Sequence, residues 1–385
     1  MRIGVPKEVK IHEYRVGMTP SSVREAISRG HSVNVQSNAA IKIGISNQDY
    51  IDAGAQIVDK AEDIWRNSEL IVKVKEPQEI EYSFLRNDQI LFTYLHLAPD
   101  RKQANALIKS GCSAIAYETV TDDKGGLPLL APMSMVAGRM SIQCGAHFLE
   151  ISKGGRGQLL GGVPGVPSAK VIIFGGGIVG TNAAKMAVGL GADVYIFDLN
   201  PYRLAELDQM FGTSITTLYP TLDLIEEKVI EADLVIGAVL VPGASAPRVV
   251  TEDLVKKMKK GSVMVDVSID QGGCFETSRG TTHDDPSYIV HDVIHYCVTN
   301  MPGAVARTST YALNNSTLPF ILNIADKGLR NSLINDQNLA NGLNIFSGNV
   351  INKPVSDSLG LPYKSIKEIL KFFFILRSSQ GYIKV

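Results

Sequence analysis

The sequence of 385 residues is poor in cysteine, almost without net charge and free of long apolar runs. Its four cysteines, Cys112, Cys144, Cys274 and Cys297, form no C-x-x-C pair. That gives no indication of a zinc knuckle or a thioredoxin-type redox motif. Scattered thiols in a chain this long fit reduced, mostly buried side chains and a cytoplasmic address. Lys plus Arg number 38 and Asp plus Glu 39, a net charge of −1. Such a balance argues against a general partner for nucleic acid or acidic membranes. No run approaches the ~18 apolar residues of a membrane span. Phe372–Leu376, bracketed by Lys371 and Arg377, reads as a buried strand or helix end. The first residues, MRIGVPKEVK, hold no apolar stretch of signal-peptide length. There is no H-E-x-x-H, no carboxylate cluster at metal-ligand spacing and no G-x-S-x-G elbow, so no metal site is expected. Internal repeats and low-complexity segments are missing as well.

Glycine is abundant, with 35 residues. The remaining composition, 45% apolar and 20% charged, is that of a globular chain. At about 150 residues per domain the length suggests two to three domains. Short β-branched runs alternate with longer helical stretches, which predicts an α/β fold with parallel sheets. Strands are expected at Arg2–Val5, Ser32–Gln36, Leu70–Val74, Ile90–Leu95 and Ser113–Glu118. A helix is expected over Ser21–Arg29, capped from Thr19-Pro20-Ser21-Ser22. Polar groups punctuate the strand ends: Pro6-Lys7-Glu8, Lys75-Glu76-Pro77, His96 and Glu118. The glycine-dense stretch Gly154–Gly165 reads as a loop. Beyond it, strands are expected at Lys170–Phe174, Asp193–Phe197, Leu234–Ala238, Ser262–Val267 and Tyr296–Val298. A glycine-led helix should occupy Gly175–Leu190. From about Thr308 the pattern becomes mainly helical, with Pro319 marking a helix start or kink.

Gly175-x-Gly177-x-x-Gly180 stands between a predicted strand and a small-residue helix, and the next strand ends in Asp198. This is the spacing of a dinucleotide-binding turn. Gly175 permits the tight turn, Gly177 admits a pyrophosphate to the backbone, and Gly180 lets helix and strand pack closely. The helix start, with Ile178 and Val179, presents N–H groups and a positive dipole end to an anion. Asp198 would accept hydrogen bonds from both ribose hydroxyls and repel a 2′-phosphate, which favours NAD over NADP. Arg203 nearby weakens that preference slightly. Other strand ends should border the nicotinamide half. They are Val239 and Leu240, then Val267-Ser268-Ile269-Asp270, then Val298-Thr299-Asn300-Met301.

Four polar side chains stand beside apolar strands: Arg15, Lys75, His96 and Asp270. Singly, each reads more readily as an ordinary surface or structural group, and Lys73 competes with Lys75. Of the seven histidines, His96 alone directly follows a long apolar strand. His147 and His291 read as packing or interface residues.

Long ordered words then carry a resemblance: MRIGVPKE, EYRVGMTP, VKVKEP, LFTYLHLA, LPLLAPMSMVAGRMS, ADLVIGAVLVPGASAP, VDVSIDQGGCFETSR and MPGAVARTSTYAL. In these the chain resembles the alanine dehydrogenases, within a superfamily that includes the transhydrogenase α-subunits. The resemblance implies two Rossmann-like domains. A discontinuous substrate domain of 1–128 and 307–385 would hold an inserted NAD-binding domain at 129–306. It implies a homohexamer acting on L-alanine with NAD, yielding pyruvate and ammonium. Carried over by motif, Arg15 and Lys75 bind the substrate carboxylate, while His96 and Asp270 are catalytic. The division of acid and base steps between those two is left open. Ser134, Arg279 and 298–301 match cofactor contacts. Pro220 stands where many relatives have a serine near the adenine, so no contact is assigned there. The tail 371–385 departs from the usual family ending. A transhydrogenase-type subunit, a saccharopine-type dehydrogenase and a non-catalytic NAD-binding protein are the competing readings.

Overall fold

The computed structural model describes residues 1–239 and 246–369. Leu240 and the apolar run Phe372–Leu376 lie outside the described residues. The chain forms two compact units, Met1–Pro132 with Val305–Val385, and Met133–Ala304.

In the first unit β1 (Arg2–Val5), β2 (Ser32–Gln36), β3 (Gln56–Val58), β4 (Leu70–Val72), β5 (Ile90–Thr93) and β6 (Ser113–Ala116) run parallel. Their order, β3-β2-β1-β4-β5-β6, is the doubly wound order. The helix Pro20–Ser28 starts as its sequence requires: the Thr19 hydroxyl accepts the Ser22 N–H, and Pro20 takes the first turn.

The second unit repeats the plan. It contains β7 (Lys170–Phe174), β8 (Asp193–Phe197), β9 (Thr216–Leu218), β10 (Leu234–Gly237), β11 (Val263–Asp266), β12 (Ser287–Val290) and β13 (Val293–Tyr296). Their order is β9-β8-β7-β10-β11-β13-β12. Along β7 the side chains alternate: Val171 and Ile173 pack with Ala183 and Ala187, whereas Ile172 and Phe174 pack with Val229 and Val255. Both faces of the sheet are therefore buried, and each such aliphatic side chain contributes about 1.5–3 kcal/mol.

The first sheet is completed by β14 (Leu343–Phe346), antiparallel to β6, and β15 (Asn349–Val350). Among the described residues no helix is long and apolar enough to cross a membrane.

Several expectations need correction. The expected strand Tyr296–Val298 begins where β13 ends, and the antiparallel partner β12 was not foreseen. The turn joining β12 to β13 uses His291 and Asp292, both at positive φ (51° and 62°). It therefore lacks the Asn-Gly or Asp-Gly signature by which such hairpins are read. The β14–β15 hairpin interrupts a region expected to be mainly helical, turning at Ser347 and Gly348. Pro319 lies inside the helix Ala306–Asn335, and the break falls at Gly328 (φ 73°, ψ 157°). A proline at φ near −65° can be accommodated in a helix, whereas Gly328 takes a backbone conformation that only glycine adopts easily.

Candidate active site

The strands β4 and β5 stop at Val72 and Thr93, short of their expected ends. Carboxylates capture the next backbone donors. Glu8 accepts the N–H groups of Val74 (2.6 Å) and Lys75 (3.3 Å). Glu118 accepts those of Leu95 (3.2 Å) and His96 (2.6 Å). Such charge-assisted bonds pull the chain off the ladder and fix the loops that carry Lys75 and His96.

Arg15 is buried, its side chain 2% exposed. Its Nε and Nη2 grip the two oxygens of Glu13 at 2.7 and 2.6 Å. Burial pushes the Glu13 carboxyl up, but this guanidinium outweighs it and holds the acid below the usual carboxylate range. Lys73 is wholly buried, with Nζ 3.0 Å from Glu8 and 2.8 Å from Glu81. Burial pulls its ammonium down, yet the two carboxylates overcome that and keep it charged. Lys75 is only partly buried. Burial and then the Arg15 charge lower its proton affinity below the ordinary lysine value.

The His96 side chain is 47% exposed, its Nδ1 3.9 Å from Glu118. Its backbone has φ 48°, a left-handed conformation for a non-glycine residue. The ring stacks on Tyr94 at 5.7 Å with the planes 9° apart, and the Tyr94 hydroxyl donates to the Leu129 carbonyl at 2.6 Å.

In the second unit the glycine turn lies at the carboxyl end of β7, beside β10, where the strand order reverses. The helix it opens is Ile178–Gly189, with Gly177 at its N-cap, so the three glycines precede or begin the helix. Gly175 has φ 97°, and a Cβ there would lie 2.5 Å from the Ala238 carbonyl oxygen. At Gly180 a Cβ would meet the Gly175 oxygen at 1.8 Å. At Gly177 it would meet nothing within 4 Å. Two glycines thus satisfy the protein's own packing. The third leaves space at the start of a helix whose first-turn N–H groups, those of Ile178 and Val179, favour an anion. That cradle fits a dinucleotide pyrophosphate.

Asp198 accepts the Gly176 N–H at 2.7 Å and the Asn200 N–H at 2.8 Å. Arg203 donates to the Gly176 carbonyl (2.7 Å) and the Thr181 hydroxyl (2.8 Å) and pairs with Glu206. Its guanidinium braces the turn.

The loop after β11 hangs on Asp266, a buried carboxylate that accepts from Ser268 N–H (3.0 Å), Cys274 N–H (2.9 Å) and the Ser278 hydroxyl (2.5 Å). Burial holds this acid above its usual range. Asp270 is exposed on that loop, while Ser268 is buried with its hydroxyl on the Val239 carbonyl at 2.7 Å. Val267 is partly buried and Ile269 nearly fully so. Ser134 is partly buried on the helix Ala131–Phe148. Val298 and Met301 are buried, and the Asn300 carbonyl meets the His283 ring at 2.9 Å. Pro220 follows β9 and is partly buried.

The first unit therefore gathers Arg15, Lys75 and His96 on loops after β1, β4 and β5. The second gathers the glycine turn, Asp198 and the loops after β10, β11 and β13. Sequence reading missed the supporting acids. Glu8 and Glu118 were visible as polar punctuation at strand ends, and Asp266 as the first aspartate of VDVSID. Glu13 and Glu81 carried no signal beyond charge.

Residues 4–137 match the family model described as alanine dehydrogenase/PNT, N-terminal domain, and residues 141–353 match its C-terminal counterpart. An alanine dehydrogenase of Halomonas elongata is 54% identical over 363 residues, 94% of this chain and 98% of that protein. A solved L-alanine dehydrogenase superimposes with TM-score 0.91 at 54% identity, covering 94% of this chain and 99% of that one. A transhydrogenase from Sinorhizobium meliloti shares the fold, with TM-score 0.80 at 22% identity over 92% of this chain and 99% of that one.

Proposed function

The chain belongs to the alanine dehydrogenase/PNT family, and from that premise we propose that it is an NAD-dependent L-alanine dehydrogenase. The reaction is L-alanine + NAD⁺ + H₂O to pyruvate + NH₄⁺ + NADH + H⁺, and it is reversible. The observation that carries this reading is the neighbourhood of Arg15. A fixed guanidinium and a partly buried lysine stand close enough for one charge to depress the other. A guanidinium held on one side by Glu13, with a second cation beside it, is suited to a small carboxylate substrate.

Arg15, oriented by Glu13, and Lys75, anchored through its backbone by Glu8, bind and orient the carboxylate. NAD⁺, when bound, supplies the hydride acceptor. The residues assigned to it are Ser134, Gly175, Gly177, Ile178, Val179, Gly180, Asp198, Val239, Leu240, Val267–Asp270, Arg279 and 298–301, with Arg203 behind the turn. His96 is open to solvent on one side and held by Glu118 on the other. It takes the proton of the water that adds to the imino carbon, or that of the resulting carbinolamine. Asp270 assists proton transfer and holds the amino group. The family reading also carries a homohexamer working in the cytoplasm.

Formation of NADH from NAD⁺ with a panel of L-amino acids, and with NADP⁺ in parallel, tests this. Turnover with alanine and NAD⁺ is expected. Hydride exchange between nucleotides alone would make it a transhydrogenase, and no turnover at all would leave a binding protein. His96→Ala should lower kcat at least about a hundredfold with NADH binding intact. Near-parental turnover would remove His96 from the chemistry. Light scattering after size exclusion tests the hexamer.

A further inference from the structure

Tyr288 lies on β12, the edge strand that the sequence did not announce. Its hydroxyl accepts the Arg279 backbone N–H at 2.7 Å and donates to the Thr277 carbonyl at 2.9 Å. Its ring carries the Arg279 guanidinium 4.0 Å from the centroid. One side chain therefore holds both the backbone and the charged end of the same exposed arginine.

The support continues inward. His295 of β13 stacks on Tyr288, with centroids 5.1 Å apart and planes at 20°. The His295 Nδ1 faces the Val293 carbonyl at 3.0 Å, so it carries the proton. Nε2 then accepts from the Thr277 hydroxyl at 2.7 Å. Burial pushes the His295 imidazole down to about 4, so it adds no positive charge beneath the guanidinium at neutral pH.

An exposed arginine normally samples many rotamers, and ordering it on a ligand reduces the net affinity. A guanidinium already laid on an aromatic face loses less. The strand pairs with β13 through its backbone, so the Tyr288 hydroxyl serves the segment around Arg279, with Cys297 Sγ 3.6 Å away, and not the pairing of β12.

We propose that Tyr288 is a positioning residue for the nucleotide, holding Arg279 in the attitude in which it contacts the bound dinucleotide. This rests on the reading of Arg279 as a cofactor contact.

The test is NADH affinity, followed by fluorescence titration, alongside steady-state kinetics of the full-length protein. Tyr288→Leu removes ring and hydroxyl and should weaken NADH binding about tenfold. Its kcat at saturating NAD⁺ and its KM for alanine should stay near parental values. Tyr288→Phe keeps the ring and should lose less, and it decides the matter if the leucine variant does not fold. Combining Tyr288→Leu with Arg279→Ala should weaken binding no further than Arg279→Ala alone. A lowered Tm with unchanged NADH affinity in both tyrosine variants would make Tyr288 merely structural and overturn the proposal. Additive losses in the double variant would also overturn it, because Tyr288 would then act by another route. Unchanged affinity in Arg279→Ala would instead remove the underlying cofactor reading.

Discussion

Lys73 donates to Glu81 across 2.8 Å in complete burial, whereas Lys75, two residues along the same segment, is left facing Arg15 with a weakened hold on its proton. The pair looked interchangeable in sequence. Their surroundings make opposite demands. Lys73→Met would leave Glu8 and Glu81 buried around no cation, which costs about 3–5 kcal/mol. Lys75→Met removes a charge that burial already disfavours, so stability should change by less than about 1 kcal/mol while KM for alanine rises steeply. Urea denaturation and steady-state kinetics on both variants check this. A stable Lys73→Met with weak substrate binding would reverse the two roles.

The lowered proton affinity of Lys75 also sets a pH dependence. Burial is its main cause and the Arg15 charge the second. Between the lowered folded value and the ordinary lysine value the unfolded chain binds the extra proton. Stability from this group therefore rises with pH across that window. Carboxylate binding moves the other way, because the ammonium is lost as pH climbs through the folded value. Pyruvate has no group titrating there and is the cleaner probe. Its KM, at a fixed concentration of free ammonia, should begin to rise below the ordinary lysine value. Lys75→Arg, which keeps its charge, should flatten that rise; an identical profile in the arginine variant would dissociate it from Lys75.

The doubly wound core was legible because its strands are buried on both faces and read as unbroken apolar runs. The Lys170–Phe174 strand and the turn at Gly175–Gly180 are the clearest cases. What escaped was encoded in geometry. The hairpin at His291 and Asp292 uses positive φ without glycine, and β14 pairs antiparallel with a strand far away in the chain. At the candidate site, the side chains that would face a ligand had motif context. The acids that hold them, Glu8, Glu13, Glu118 and Asp266, act through backbone N–H groups or a neighbouring side chain. Spacing in sequence does not reveal such partners.

Asp198 presents a mixed role. Each of its oxygens already accepts a backbone N–H, from Gly176 and Asn200. Asp198→Ala should lower stability by about 1–3 kcal/mol and weaken NAD binding at least about tenfold. Loosening of the turn alone would weaken NAD and NADP alike. A carboxylate that receives ribose hydroxyls also repels a 2′-phosphate, so its removal should raise NADP affinity relative to NAD. The ratio of the two dissociation constants is the measurement, and an unchanged ratio would confine Asp198 to bracing the turn.

Gly177 and Gly180 separate binding from folding within one motif. A methyl group at position 180 would overlap the Gly175 carbonyl oxygen at 1.8 Å, a backbone atom that cannot swing aside. Gly180→Ala must therefore shift the helix Ile178–Gly189 away from β7, costing about 1–3 kcal/mol or more. A methyl group at position 177 meets no protein atom within 4 Å, so alanine there costs only the difference between a glycine and a poorer alanine N-cap. Gly177→Ala should then stay folded and melt close to the parental temperature, losing at most about 1 kcal/mol. If the pyrophosphate lies against this turn, the same methyl group occupies its approach, and NADH affinity should fall about tenfold or more. Calorimetry and NADH titration on the two variants give the comparison. Full NADH affinity in a well-folded Gly177→Ala would place the pyrophosphate elsewhere and leave the glycine turn a purely structural device.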